Sequence, residues 1–220
     1  VQFRNGFYYA ALFVAVFWTL LLSRVPPNRL THWMPVLILS NLLINTFYFM
    51  AGLVLLEKTE GTLIAQRVTP LRVGEYLISK VITLSLVSVC EAWIIVLFGY
   101  GTGFGPMILL AGVASAAIVF SFAGFLIVIR YDSINEFLIP SFLFMLLFVP
   151  PFLSYFGLFE TSLMYVHPIQ APLLLTQAAF EKIEFWQSAY SVFATCLWIG
   201  VAFSFSRRSF ERFVIAPEGE

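Results

Sequence analysis

Six runs of about 18 to 25 mostly apolar residues, at roughly 6–24, 33–56, 78–99, 107–129, 134–156 and 187–206, constrain this chain more than any other feature. Each run matches the length of helix that crosses the hydrocarbon layer of a bilayer, and backbone removed from water must satisfy its own N–H and C=O groups. The runs are apolar all round instead of alternating, which selects helices over a barrel. Composition agrees: 60% of the 220 residues are hydrophobic and 11% charged, with a mean hydropathy of +0.93. A soluble domain carries about 25% charged residues. The expectation is an all-α integral membrane protein, a single transmembrane domain over 1–220 with six spanning helices. No small-x-small cleavage site precedes Arg24-Val25-Pro26-Pro27, so the first run reads as a retained span.

The 12 Lys and Arg residues divide unevenly between the two sides of such a bundle. Arg4, Lys58, Arg67, Arg72, Lys80, Arg130, Arg207, Arg208 and Arg212 fall on one side, and Arg24, Arg29 and Lys182 on the other. Cytoplasmic loops retain positive charge, which predicts a multi-pass protein of the cell membrane with both termini in the cytoplasm. Net charge is zero and the basic residues sit beside apolar runs, so membrane lipid is the expected partner and nucleic acid is not. His32 and His167 stand alone, and neither H-E-x-x-H nor G-x-S-x-G occurs, which argues against a metalloenzyme or a lipase-like hydrolase. Cys90 and Cys196 lie inside apolar runs and read as small buried side chains, with a disulfide or metal pair as the alternative.

Loop chemistry sharpens the outline. Ser133-Ile134-Asn135-Glu136 fits a capping box at the start of the fifth span, and Pro140 and Pro150-Pro151 should kink or break it. The stretch 156–186 is too polar to span and too apolar for a free loop. It predicts short re-entrant or interfacial helices on the outer face, one starting at Pro168 or Pro172.

Between the second and third runs lies Glu57-Lys58-Thr59-Glu60-Gly61-Thr62-Leu63-Ile64-Ala65-Gln66-Arg67-Val68-Thr69-Pro70, continuing to Glu75-Tyr76 and Ser79-Lys80. Leu63, Ile64 and Val68 at helical spacing describe an amphipathic helix on the membrane surface, or a solvated connector. The pattern Glu-Lys-x-x-Gly-Thr-Leu, then Thr-Pro-Leu, Glu-Tyr and Ser-Lys, resembles the signature of type-2 ABC exporter permeases. Gln2-Phe3-Arg4-Asn5-Gly6-Phe7-Tyr8-Tyr9 and His167-Pro168-Ile169-Gln170-Ala171-Pro172 are similar to the fluoroquinolone-export branch of that family. The resemblance implies that 57–70 is a cytoplasmic coupling helix docked on a separate ABC ATPase subunit. Glu57, Glu60, Gly61, Thr62, Leu63, Arg67, Thr69 and Pro70 would then contact the ATPase or shape the helix. It further implies a homodimer, or a heterodimer with a related permease, with ATP and Mg held by the partner ATPase and no cofactor on this chain. In keeping with that, no G-x-x-x-x-G loop precedes Lys58, Lys80 or Lys182. One departure from the pattern, Arg72-Val73-Gly74, leaves the start of the third span open.

Glu91 lies eleven residues beyond Lys80, ~16 Å along a helix and so near mid-bilayer. A carboxylate there must face the bundle interior or a wet cavity, or be protonated. It reads either as a cation-attracting or proton-sensing group on a substrate path, or as a structural hydrogen bond to a neighbouring helix. Asn41 and Asn45, four apart and so on one helix face, read as interhelical glue or as substrate contacts. The 25 phenylalanines are packing and lipid-facing residues or the walls of a greasy path. An ion-coupled secondary transporter using Glu91 and a non-transporting membrane scaffold remain alternatives.

Overall fold

Pro26 and Pro27 open the longest helix because a proline at the first helical position lacks only an N–H that would have no intrahelical partner. The computed structural model describes residues 7–22, 24–65, 72–159 and 161–215, and all regular structure among them is helical. In chain order the elements are α1 Phe7–Leu22, α2 Pro27–Thr59, α3 Thr62–Ala65, α4 Val73–Gly99, α5 Pro106–Val128, α6 Ile134–Leu146 and α7 Pro150–Tyr155. A 3₁₀ turn Ser162–Val166 follows, then α8 Gln170–Ala178, α9 Phe185–Phe210 and a π-helical turn Glu211–Ile215.

Among the described residues five helical stretches are long and apolar enough to cross a membrane: Arg29–Thr59, Val73–Gly99, Pro106–Val128, Ile134–Tyr155 and Phe185–Ile215. They coincide with five of the six expected runs. The described part of the first run is the 16-residue α1, ~24 Å long against a hydrocarbon layer of ~30 Å.

α5 is the central post, packed on α2, α4, α8 and α9. Small residues let its neighbours close on it. A Cβ built on Gly124 would fall 2.6 Å from the carbonyl oxygen of Phe47 in α2, and one on Gly112 would fall 2.7 Å from the backbone nitrogen of Thr176 in α8. Backbones in lipid approach this closely only where a side chain is missing. Two apolar clusters lie along the post, one around Leu39, Leu42, Val113 and Phe120, the other around Phe47, Leu77, Phe125 and Phe210.

The fifth run breaks at one of its two proline sites. Pro140 sits inside a continuous α6, where the carbonyl it leaves unpaired belongs to exposed Glu136 near the helix start. The interruption comes at Leu147–Val149, where three successive i→i−3 bonds tighten the chain ahead of Pro150-Pro151. Ser133 forms its half of the expected cap, accepting from the Glu136 N–H at 3.3 Å. Pro172 falls in the first turn of α8, as its fixed φ favours. Contrary to the expectation of burial, Cys90 and Cys196 are both exposed on the helix surface and free.

Candidate functional site

The chain between α2 and α4 is held by three devices, each readable from local chemistry. α2 runs on through Glu57 and Lys58, so these two residues form its last turn and the surface segment begins beyond them. Glu57 is 7% exposed. The Tyr76 hydroxyl donates to its Oε2 at 2.6 Å, and the Lys80 ammonium donates to its Oε1 as a salt bridge. Tyr76 and Lys80 are four apart on α4, hence on one face, and together they clasp both carboxylate oxygens. A buried carboxylate is tolerated only with such partners.

Lys58 points the other way. Its ammonium donates to the carbonyl oxygens of Ile129 and Tyr131, each at 2.8 Å, and pairs with Asp132 at 3.0 Å. It thus caps the negative end of α5 and ties the 129–132 turn to α2.

Gly61 makes the turn into α3 with φ of +70°. No atom lies within 4 Å of where its Cβ would sit, so a side chain there meets backbone strain alone. Gly61→Ala is expected to lower stability by about 1 to 2 kcal/mol, read as a reduced thermal midpoint of the purified protein. Thr62 donates its hydroxyl to the Glu57 carbonyl at 3.1 Å, and Leu63, 2% exposed, plugs into the cluster of Tyr76, Leu77, Phe210 and Val214. Glu60 is exposed at the turn. Arg67, Thr69 and Pro70 lie outside the described residues. At the start of α4, the Arg72 N–H donates to Glu75 Oε2 at 3.2 Å, which fixes the helix start that the sequence left open. Sequence reasoning assigned no role to Tyr76 or Lys80 in holding Glu57; their spacing at the head of a span was the available signal.

The second polar locus joins α2 to α4 within the apolar layer. The Asn45 amide donates to Glu91 Oε1 at 2.7 Å and to Asn41 Oδ1 at 3.1 Å. Thr46 and Ser88 hydroxyls meet one position along at 2.9 Å. Asn41, Asn45 and Glu91 are all buried. The structure therefore brings all three residues together, with Asn45 serving as interhelical glue. Glu91 also borders a groove of about 380 Å³ between α1 and α4, shared with Leu12, Ala15, Leu86, Val87 and Cys90.

At the opposite end of the bundle, His167 orders the turn before α8. Its Nε2 meets the Leu147 carbonyl at 2.9 Å and so carries the proton, while Nδ1 accepts from the Ile169 N–H at 3.2 Å. Burial holds its pKa below the usual range, with the bond to Leu147 pulling the other way. The unfolded chain therefore binds the proton more readily. Stability from this residue is present above about pH 6.5 and is lost as the pH falls through the lower folded value. Thermal midpoints measured between neutral and acid pH are expected to fall with acidification, and the fall to shrink in His167→Asn.

A chain whose described residues are helical, with several apolar spans tied by buried polar contacts, is a multi-pass membrane protein. The family model described as the Fluoroquinolones export permease protein family matches residues 1–218, and the chain belongs to that family. Similar curated proteins include the Fluoroquinolones export permease proteins of Mycobacterium tuberculosis strains CDC 1551 and H37Rv. Each is 28% identical over 222 residues, spanning 100% of this chain and 94% of the relative.

Proposed function

We propose that this chain is the membrane-spanning subunit of an ATP-binding-cassette exporter that expels a hydrophobic or amphipathic compound of the fluoroquinolone kind. The apolar run at 6–24, of which α1 is the described part, supplies a sixth span, and the end bearing Lys58, Arg130, Arg207 and Arg208 faces the cytoplasm, as do both termini. The segment from the 3₁₀ turn through α8 forms a re-entrant outer cap. Two such subunits, identical or related, pair with two ATPase subunits that bind ATP and Mg.

The observation that carries this reading is the clasp of Glu57 by Tyr76 and Lys80 directly above a short helix seated by Leu63. A force applied to 60–70 by an ATPase would pass through that clasp into α2 and α4 together, moving two spans as a unit. ATP can shift the bundle between inward-open and outward-open states only if the ATPase contacts differ between them. In this reading Glu60, Arg67, Thr69 and Pro70 meet the ATPase, whereas Glu57, Gly61, Thr62 and Leu63 shape the element they sit on.

The test is co-expression with a candidate ABC ATPase subunit, followed by co-purification and drug-stimulated ATP hydrolysis. Arg67→Glu is expected to insert normally while drug-stimulated hydrolysis falls about tenfold, the loss of one charge-assisted contact. Full stimulation in that variant, or no association with the ATPase, would count against the reading.

A further inference from the structure

Glu91 has a partner but no countercharge. Its carboxylate is held by neutral amides, Asn45 at 2.7 Å with Asn41 beside it, and no Lys, Arg or His among the described residues pairs with it. An amide orients a carboxylate without neutralising it, and in an apolar layer the missing positive charge has to come from a proton or from a ligand. The same residue lines the groove between α1 and α4, whose remaining walls are mostly hydrocarbon from Leu12, Ala15, Leu86 and Val87. Its volume, about 380 Å³, lies within the range of small-molecule sites. Apolar walls with a single fixed acid at one edge match a flat, greasy molecule that carries one protonated amine.

We infer that the α1–α4 groove binds amphipathic organic cations, with the apolar body against Leu12, Leu86 and Val87 and the ammonium on Glu91. This deepens the exporter reading, on which it rests for the direction of movement. A neutral compound of the same shape gains nothing from the acid, and an anion is repelled by it. Asn45 is the positioning residue: it holds the carboxylate from the α2 side and leaves the groove side to the ligand.

The experiment uses the full chain in lipid nanodiscs, with neither ATP nor ATPase present. The probes are rhodamine 6G, a planar cationic dye, and Nile red, a neutral one. Glu91→Gln is expected to weaken rhodamine 6G binding about tenfold or more, as loss of a charge-assisted contact does, while Glu91→Asp retains it and Nile red is unaffected. In Cys196→Ser protein, saturating rhodamine 6G is expected to slow alkylation of Cys90 by N-ethylmaleimide, since Cys90 lines the groove. Equal dye affinity in the Gln variant, or Cys90 alkylation indifferent to the dye, overturns the site. If Glu91→Gln fails to accumulate, Cys90→Trp fills the groove from an exposed position with the acid in place, and unchanged dye binding there overturns the site equally. Because binding is read without nucleotide, its failure leaves ATP coupling standing. Loss of ATP-driven transport with normal dye binding does the reverse.

Discussion

Glu57→Lys is expected to yield a protein that inserts poorly and unfolds at a much lower temperature than the native chain. The substitution places a second ammonium beside Lys80 in a site only 7% exposed, and leaves the Tyr76 hydroxyl without the acceptor it meets at 2.6 Å. Removing one partner of a buried ion pair costs about 3 to 5 kcal/mol, and reversing its sign should cost no less. Fluorescence-detected size exclusion after heating reads the effect directly. The double swap Glu57→Lys with Lys80→Glu restores opposite charges and is expected to recover part of the loss. Recovery would show that the pair, and not the position, carries the energy. Glu57 is accordingly a poor position for separating coupling from folding, and the exposed side of the segment is the better one.

The second large effect is expected at Gly124. A Cβ there would fall 2.6 Å from the Phe47 carbonyl oxygen and 3.2 Å from its Cα, both backbone atoms that no rotamer change can move aside. Gly124→Val should force α2 and α5 apart and cost about 3 kcal/mol, the upper end for overpacking a close contact. Gly200 in α9 supplies the control, with nothing within 4 Å of its Cβ position. Gly200→Ala is expected to be neutral or to stabilise by about 1 kcal/mol through helix propensity alone. Thermal midpoints of the two variants, measured side by side in the same detergent, should move in opposite directions or only one should fall.

Hydropathy made the spans legible because a helix in lipid must be apolar along its length. It failed where helices continue past the apolar layer. α2 begins at Pro27, not near 33, because its first turns carry Asn28, Arg29 and His32, polar residues that a hydropathy window rejects and a helix accepts. For the same reason the third span starts at Val73 instead of 78, its first turn holding Glu75 and Tyr76. Prolines were legible as breakers but not by position: Pro140 is absorbed near a helix start, whereas Pro150-Pro151 follow a tightened turn. Cys90 was misplaced because an apolar run does not say which face looks inward. Its neighbour Glu91 faces the bundle interior while the thiol is exposed.

The polar seam was half legible. Asn41 and Asn45 at helical spacing marked a face, and Glu91 marked a mid-span cost, but only the packing of α2 against α4 puts Asn45 2.7 Å from that carboxylate. The helix-capping role of Lys58 could not be read, since the acceptors that define it are backbone carbonyls more than seventy positions away. Side chains that serve backbone leave no partner residue in the sequence to match.

ATP-driven export by this chain with a separate ATPase is tested most directly in inside-out membrane vesicles containing both proteins. The readout is uptake of a fluorescent fluoroquinolone such as norfloxacin. Uptake is expected to require ATP, to vanish when either chain is omitted or the ATPase is catalytically inactivated, and to persist when a protonophore collapses the proton gradient. Uptake that runs on a proton gradient without ATP, or that proceeds unchanged with the inactive ATPase, would contradict it.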